Sequence, residues 1–262
     1  MIISHQYRYV FVELPRTGST AVSHELCELY GGVPVLYRHA TLEELWRIAP
    51  KKVRDYFVFS GIRNPLDDAV SLYFKYRNDH KGQFSAIDNG RFFTRLVNFP
   101  RLRRFRYIRQ QDAGFAAYFL RFYSWPYNNW SAITHSRCDF VIRFEHLAAD
   151  FERVLRLIGL EPQRPLPVVN KTAGKRQTYL SYYDTPEVRR RAVRVFGPFM
   201  KMWGYEFPPE WGDVSVPHTS WLLFHLLNGV RVPYWKYVRP YVLMRVLRER
   251  GQEVRPFLET TS

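Results

Sequence analysis

YRYVFVELPRTGST, Tyr7 to Thr20, is the stretch that decides the fold. Tyr7 to Leu14 is rich in β-branched and aromatic residues and stops at Pro15, which predicts a buried strand ended by a turn. From Ser19 to Tyr30 the pattern changes: Val22, Leu26 and Leu29 recur at intervals of four and three, and Gly31-Gly32 closes the run, as a helix requires. A strand that enters a helix through a tight loop brings the helix's first N–H groups, which lack internal partners, and the positive end of its dipole to the loop. Such a place suits an anion. Gly18 lets the backbone approach closely, and the hydroxyls of Ser19 and Thr20 can donate to phosphate oxygens. Arg16 adds a permanent charge with a planar donor fork. The purely structural alternative is a Ser/Thr cap on the helix. The GxxxxGK[ST] pattern of a Walker loop is absent, which argues against an ATPase or GTPase.

Working outward, the same grammar recurs. Tyr56 to Ile62 (YFVFSGI) is a short apolar run followed by Arg63-Asn64-Pro65, where proline suits a first helical turn, and then by Ala69, Val70, Leu72 and Tyr73. Arg63 at the strand end and Ser71 early in the helix can converge on one phosphate; the alternative is Arg63 paired with Asp67 or Asp68. Val33 to Tyr37 predicts another strand, and Thr41-Leu42-Glu43-Glu44 has the form of a capping box. Asp139 to Phe144 predicts a further parallel strand, and Leu147 to Ile158 an amphipathic helix ended by Gly159. Alternating strands and helices predict an α/β fold with a central, mostly parallel sheet flanked by helices. Ala113 to Tyr123 and Pro186 to Met200 read as helices, the second with a break near Gly197-Pro198. Arg77 to Arg109 is basic and aromatic without a clear period and reads as an insertion or lid. Residues 1–210 are expected to form the main domain and 211–262 a basic, aromatic, helical extension.

The whole chain sets limits. It has 262 residues, 46% hydrophobic and 17% aromatic, enough for a packed core and too apolar for disorder. Lys and Arg number 39 against 24 acidic residues, and the resulting +15 points to a polyanionic partner or to charge spread over solvated faces. Cys27 and Cys138 are the only cysteines, without metal-ligand spacing, so neither a disulfide framework nor a structural metal is expected. Only Met1 to Gln6 precede the first predicted strand, which leaves no room for a leader. The apolar run Trp221 to Val230 is shorter than the roughly 20 residues a spanning helix needs. A soluble, cytoplasmic protein is expected.

The pair FVELPRTGST and FSGIRNPLDDAVSLY resembles the two nucleotide-binding motifs of the sulfotransferases that use 3′-phosphoadenosine 5′-phosphosulfate, PAPS. DFVIRFEHLAADFERVLRLIGL resembles the strand and helix of that family's second half, and VVNKTAGK with KMWGYEF its closing segment. The likeness runs over roughly residues 7 to 207 and is nearest to the branch that sulfates sugars. It implies a P-loop-like three-layer fold and a PAPS-dependent O-sulfotransferase that needs no metal. Arg16, Thr17, Gly18, Ser19 and Thr20 would hold the 5′-phosphosulfate, and Arg63 and Ser71 the 3′-phosphate. Lys171, Lys175 and Arg176 would close over the adenine and 3′-phosphate. The family usually has lysine where this chain has Arg16; arginine cannot release a proton, so an electrostatic role is what transfers.

Sulfuryl transfer needs a base for the acceptor hydroxyl and positive groups where charge builds on the leaving oxygen. His39, in YRHATLEEL, lies between the two motifs just before a helix cap and is the favoured base, with an unperturbed pKa near 6.5. Glu13, beside the phosphate loop, is its rival. His24, on the first helix, reads as a surface or core residue. The expected acceptor is a carbohydrate or glycolipid hydroxyl; a small phenol, alcohol or lipid is the alternative. Tyr76 to Tyr107 interleaves cations with aromatic rings, as sugar stacking would need. The extension from Trp211 to Arg250 suits either docking on the domain or peripheral contact with an anionic membrane. Nucleic acid is not an expected partner, although a non-enzymatic polyanion-binding module is the rival class, marked by steep salt dependence. A kinase-like transferase would instead need Mg²⁺.

Overall fold

The computed structural model describes residues 1–89, 91–167, 178–249, 251 and 255. Its strands are β1 (Ile2–Ser4), β2 (Tyr9–Val12), β3 (Val33–Pro34), β4 (Phe57–Ile62) and β5 (Phe140–Arg143). Its helices are α1 (Ser19–Leu29), α2 (Leu42–Ile48), α3 (Pro65–Arg77), α4 (Gln83–Asp88), α5 (Phe92–Val97), α6 (Phe99–Gln110), α7 (Phe115–Phe122), α8 (Ser131–Thr134), α9 (Leu147–Leu157), α10 (Pro186–Met202), α11 (His218–Pro233) and α12 (Arg239–Glu249). Two compact units share the chain: Met1–Arg63 with Asn129–Lys171 and Val232–Ser262, and Asn64–Asn128 with Thr172–Arg231.

The first unit holds the sheet, in the order β3-β1-β2-β4-β5. β2, β4 and β5 run parallel, and β1 is antiparallel to both its neighbours. Side chains of a strand alternate between faces, and both faces here are apolar. Ile3, Val10, Val12 and Val58 point into a core with Leu42 and Leu45 of α2 and Leu243, Met244 and Leu247 of α12. Ile2, Tyr9, Phe11 and Phe59 point into the other, with Val22 and Leu26 of α1 and Phe151 and Val154 of α9. Helices on both sides of a mostly parallel sheet make the three-layer α/β architecture that the sequence implied. Two details differ. β1 lies in the six residues read as a mere lead-in, too short for a period to register. The strand expected over Val33 to Tyr37 keeps ladder register with β1 only at Val33 and Pro34, the Val35 N–H still donating to the Met1 carbonyl at 3.0 Å; Leu36, at a φ of 56°, bridges to Arg255 instead.

The second unit is helical. The side chain of Asn64 caps α3 by accepting from the Leu66 N–H at 2.9 Å, and Pro65 fills its first turn. The 77–109 stretch that showed no period is also helical: Phe84 and Ile87 of α4 and Leu102, Phe105 and Ile108 of α6 are buried. Their three-residue spacing was masked by interleaved arginines. α10 runs unbroken through Gly197-Pro198 where a break was expected. Val195, Phe196, Phe199 and Met200 are buried around the proline, and burial worth about 1.5–3 kcal/mol per large side chain exceeds the roughly 3 kcal/mol proline penalty. On α11, Phe224 is buried while Leu222, Leu226 and Val230 are exposed. Among the described residues no helix is long and apolar enough to cross a membrane.

Candidate functional site

The register of β2 with β4, Tyr9 opposite Phe57 and Val12 opposite Ser60, brings the loop after each strand to the same end of the sheet. The Ser60 hydroxyl donates to the Val12 carbonyl at 2.7 Å and fixes the two strands side by side. The loop after β2 then folds tightly. Thr17 turns inward, its hydroxyl donating to the Leu14 carbonyl at 3.0 Å, and it lies so close over β4 that a Cβ on Gly61 would come within 2.9 Å of it. Gly18 is the N-cap of α1 in the left-handed region, φ 77°, and a Cβ there would lie 2.6 Å from a methyl of Leu147. Glycine is therefore needed for both conformation and space.

Among the described residues, no side-chain hydrogen bond caps α1 at Gly18. Ser19 is buried in the first turn. Thr20 is half-buried, and its hydroxyl accepts from Nη2 of Arg38. The structural alternative of a Ser/Thr cap is thereby removed, and the first N–H groups of α1 keep their capacity for an anion. Arg16, also at a left-handed φ of 66°, is half-buried in the loop. Arg63 leaves the end of β4, lays its guanidinium over the Phe144 ring at 4.0 Å and donates through Nη1 to the Arg16 carbonyl at 3.1 Å. Arg38, not singled out from the sequence, lies with its Nε 3.6 Å from Glu13 Oε1. Its only sequence signal was its place beside His39.

His39 sits where the chain turns into α2, at a φ of 67°. Its Nδ1 lies 2.9 Å from the Glu13 carbonyl oxygen, which can only accept, so Nδ1 carries the proton and Nε2 is the basic nitrogen. Burial, together with the Arg38 and Arg239 charges, pushes its pKa down to about 4 against the opposing pull of Glu13. The ring is therefore neutral at physiological pH. The Glu13 carboxylate is buried and tied to the Met1 ammonium at 2.6 Å and to the Ser23 hydroxyl at 2.9 Å. Burial raises its pKa, but the Met1 ammonium, these hydrogen bonds and His39 outweigh it and hold the carboxyl below its ordinary value. A cleft of about 960 Å³ opens beside these groups, lined among others by Glu13, Ser23, Tyr37 and Arg38.

Other residues singled out from the sequence fall elsewhere. Ser71, on α3 in the second unit, is fully buried. Lys171, Lys175 and Arg176 lie outside the described residues. His24 is exposed on α1 and 3.2 Å from Glu28. It forms with Glu25 and Glu28 a group of metal-ligand spacing, but Arg164 already engages both carboxylates, reaching Glu25 at 2.9 and 3.0 Å.

The tight loop, the glycine-capped start of α1 and the neighbouring arginine form a place suited to an anion. Comparison with known families gives a match to the model of the sulfotransferase family over residues 1–206. No curated protein and no solved structure matches the chain.

Proposed function

Because the chain belongs to the sulfotransferase family, we propose that it moves a sulfuryl group from PAPS to a hydroxyl of a carbohydrate or glycolipid. The observation that carries this reading is the uncapped N-terminus of α1 at Gly18, with Arg63 reaching the carbonyl of Arg16 beside it. In this reading the N–H groups of Gly18, Ser19 and Thr20 and the guanidinium of Arg16 hold the 5′-phosphosulfate, and Arg63 serves the 3′-phosphate. PAPS brings about −4 of charge, counting the 3′-phosphate near −2, which gives part of the +15 a purpose.

The acceptor oxygen attacks sulfur in line with the bond to the 5′-phosphate. As the new O–S bond forms, Nε2 of His39 takes the acceptor proton, and the electron pair of the breaking bond leaves on the phosphate oxygen. The α1 N–H groups and Arg16 stabilise that charge. Adenosine 3′,5′-bisphosphate and the sulfate ester result. A pKa of about 4 makes His39 by itself a weak base, but the negative charge of a bound donor opposes the pull of Arg38 and Arg239 and raises its proton affinity. Glu13 is the poorer base, since its carboxylate is already held by Met1 and Ser23; its carbonyl instead fixes the His39 tautomer. The cleft beside Glu13 and Arg38 is within the size range of small-molecule sites.

Incubation with ³⁵S-labelled PAPS and a panel of glycans, glycolipids and phenols tests the reading. Label is expected in a glycan or glycolipid. Label in phenols alone would sink the acceptor class, and no transfer together with no affinity for adenosine 3′,5′-bisphosphate would sink the donor.

A further inference from the structure

The His39 loop is held from a part of the chain that the family match does not reach. That match ends at residue 206, whereas the guanidinium over the loop belongs to Arg239, the first residue of α12. Its Nη2 donates to the His39 carbonyl at 2.9 Å, and its plane lies over the Trp130 ring, 3.8 Å from the centroid. Trp130 in turn stands 6.1 Å from the His39 imidazole, ring centre to ring centre. Arg239 is 7% exposed, so this is a buried, oriented charge.

Local structure explains how it is delivered. Tyr234–Val238 forms a π-helical turn immediately before Arg239; such wider turns shift the residues that follow. From that turn Lys236 comes 3.6 Å from Glu43, in the first turn of α2 just beyond His39. Leu243, Met244 and Leu247 pack into the core that contains Val35, Tyr37, Ala40 and Leu42, the residues flanking His39. Apolar burial docks α12, and Arg239 is thereby fixed over the loop. His39 needs such a hold, because a left-handed backbone is unfavourable for a residue with a Cβ. Its carbonyl bond to Arg239 and its Nδ1 bond to Glu13 pin the residue at both ends.

We infer that Arg239 is a positioning residue for the proposed base His39, and that the segment beyond the family match thus completes the reaction site. This rests on the reading of His39 as the base, and the two are tested separately. The charged groups facing His39 are Arg38, Glu13 and Arg239, and the first and last both lower its proton affinity.

Long-range ¹H–¹⁵N spectra of ¹⁵N-histidine-labelled protein report tautomer and titration, with His39→Ala assigning the signal. In the wild type the ring is expected to carry its proton on Nδ1 and to show no titration between about pH 5 and 8. In Arg239→Ala its midpoint should rise by about one unit or more, or its tautomers should mix, while adenosine 3′,5′-bisphosphate still binds. Arg239→Lys keeps the charge but not the planar fork, and should keep the low midpoint while losing the single tautomer; it also serves if the alanine variant does not fold. An unchanged tautomer and titration in these variants would overturn the inference, whatever the activity. With PAPS and an unsulfated acceptor that the wild type uses, kcat should fall about 10–100-fold in Arg239→Ala with little change in the donor KM. Full activity in His39→Ala would remove the base reading and leave the spectroscopic result to stand or fall alone.

Discussion

Nη1 of Arg63 lies 3.1 Å from the carbonyl oxygen of Arg16, so the end of β4 braces the loop that follows β2. One guanidinium therefore both braces this loop and places its charge beside it. Arg63→Ala is expected to weaken adenosine 3′,5′-bisphosphate by about 10–100-fold, the loss of a charge-assisted hydrogen bond of about 1.5–3 kcal/mol. Arg63→Lys should recover only part, since an ammonium lacks the fork and the flat face that meets Phe144. Calorimetric titration decides it: unchanged affinity in the alanine variant would remove Arg63 from the nucleotide site.

Gly18 is constrained twice, by its φ of 77° and by Leu147, which would lie 2.6 Å from any Cβ at this position, whereas Gly159 at φ 79° has open space around it. Gly18→Ala should cost about 2–5 kcal/mol, left-handed strain plus overpacking, and Gly159→Ala about 1–2 kcal/mol from strain alone. Thermal unfolding of the two variants separates the terms. Equal losses would mean that Leu147 gives way freely.

His39 and Glu13 are separable by kinetics. His39→Asn should lower kcat by about 10²–10⁴-fold, the usual yield of general-base catalysis. Glu13→Gln leaves the backbone carbonyl that orients His39 and should lower kcat far less, while reducing stability by freeing the Met1 ammonium and Arg38. The reverse ranking of kcat would transfer the base role to Glu13.

Acid should destabilise the fold at mildly low pH. His39 and His135, the latter donating from Nε2 to the Gly61 carbonyl at 3.2 Å, both have pKa values pushed down by burial from 6.5 to about 4. Between these values the unfolded chain binds more protons than the folded one, so stability is fully present above 6.5 and is lost as pH falls towards 4. Each histidine contributes a slope of up to about 1.4 kcal/mol per pH unit. Glu13, held below its ordinary value, extends the loss at more acidic pH. Denaturant unfolding at stepped pH should show this slope, and His135→Gln should flatten it. A stability independent of pH across the window would contradict the burial of both rings.

The sequence by itself determined the two strand–loop–helix junctions, because an apolar run, a proline and a helical period are local signals that each segment carries within itself. It marked Gly18 and Arg63 for the same reason, as residues whose chemistry is written at a junction. Only the tertiary structure decided which distant groups surround His39: Trp130, more than ninety positions away in the chain, and Arg239, two hundred positions away. It also decided that Thr17 turns inward against Gly61, through the β2–β4 register. Contacts of that kind arise from burial and strand pairing between distant segments, and no periodicity within either segment reports them.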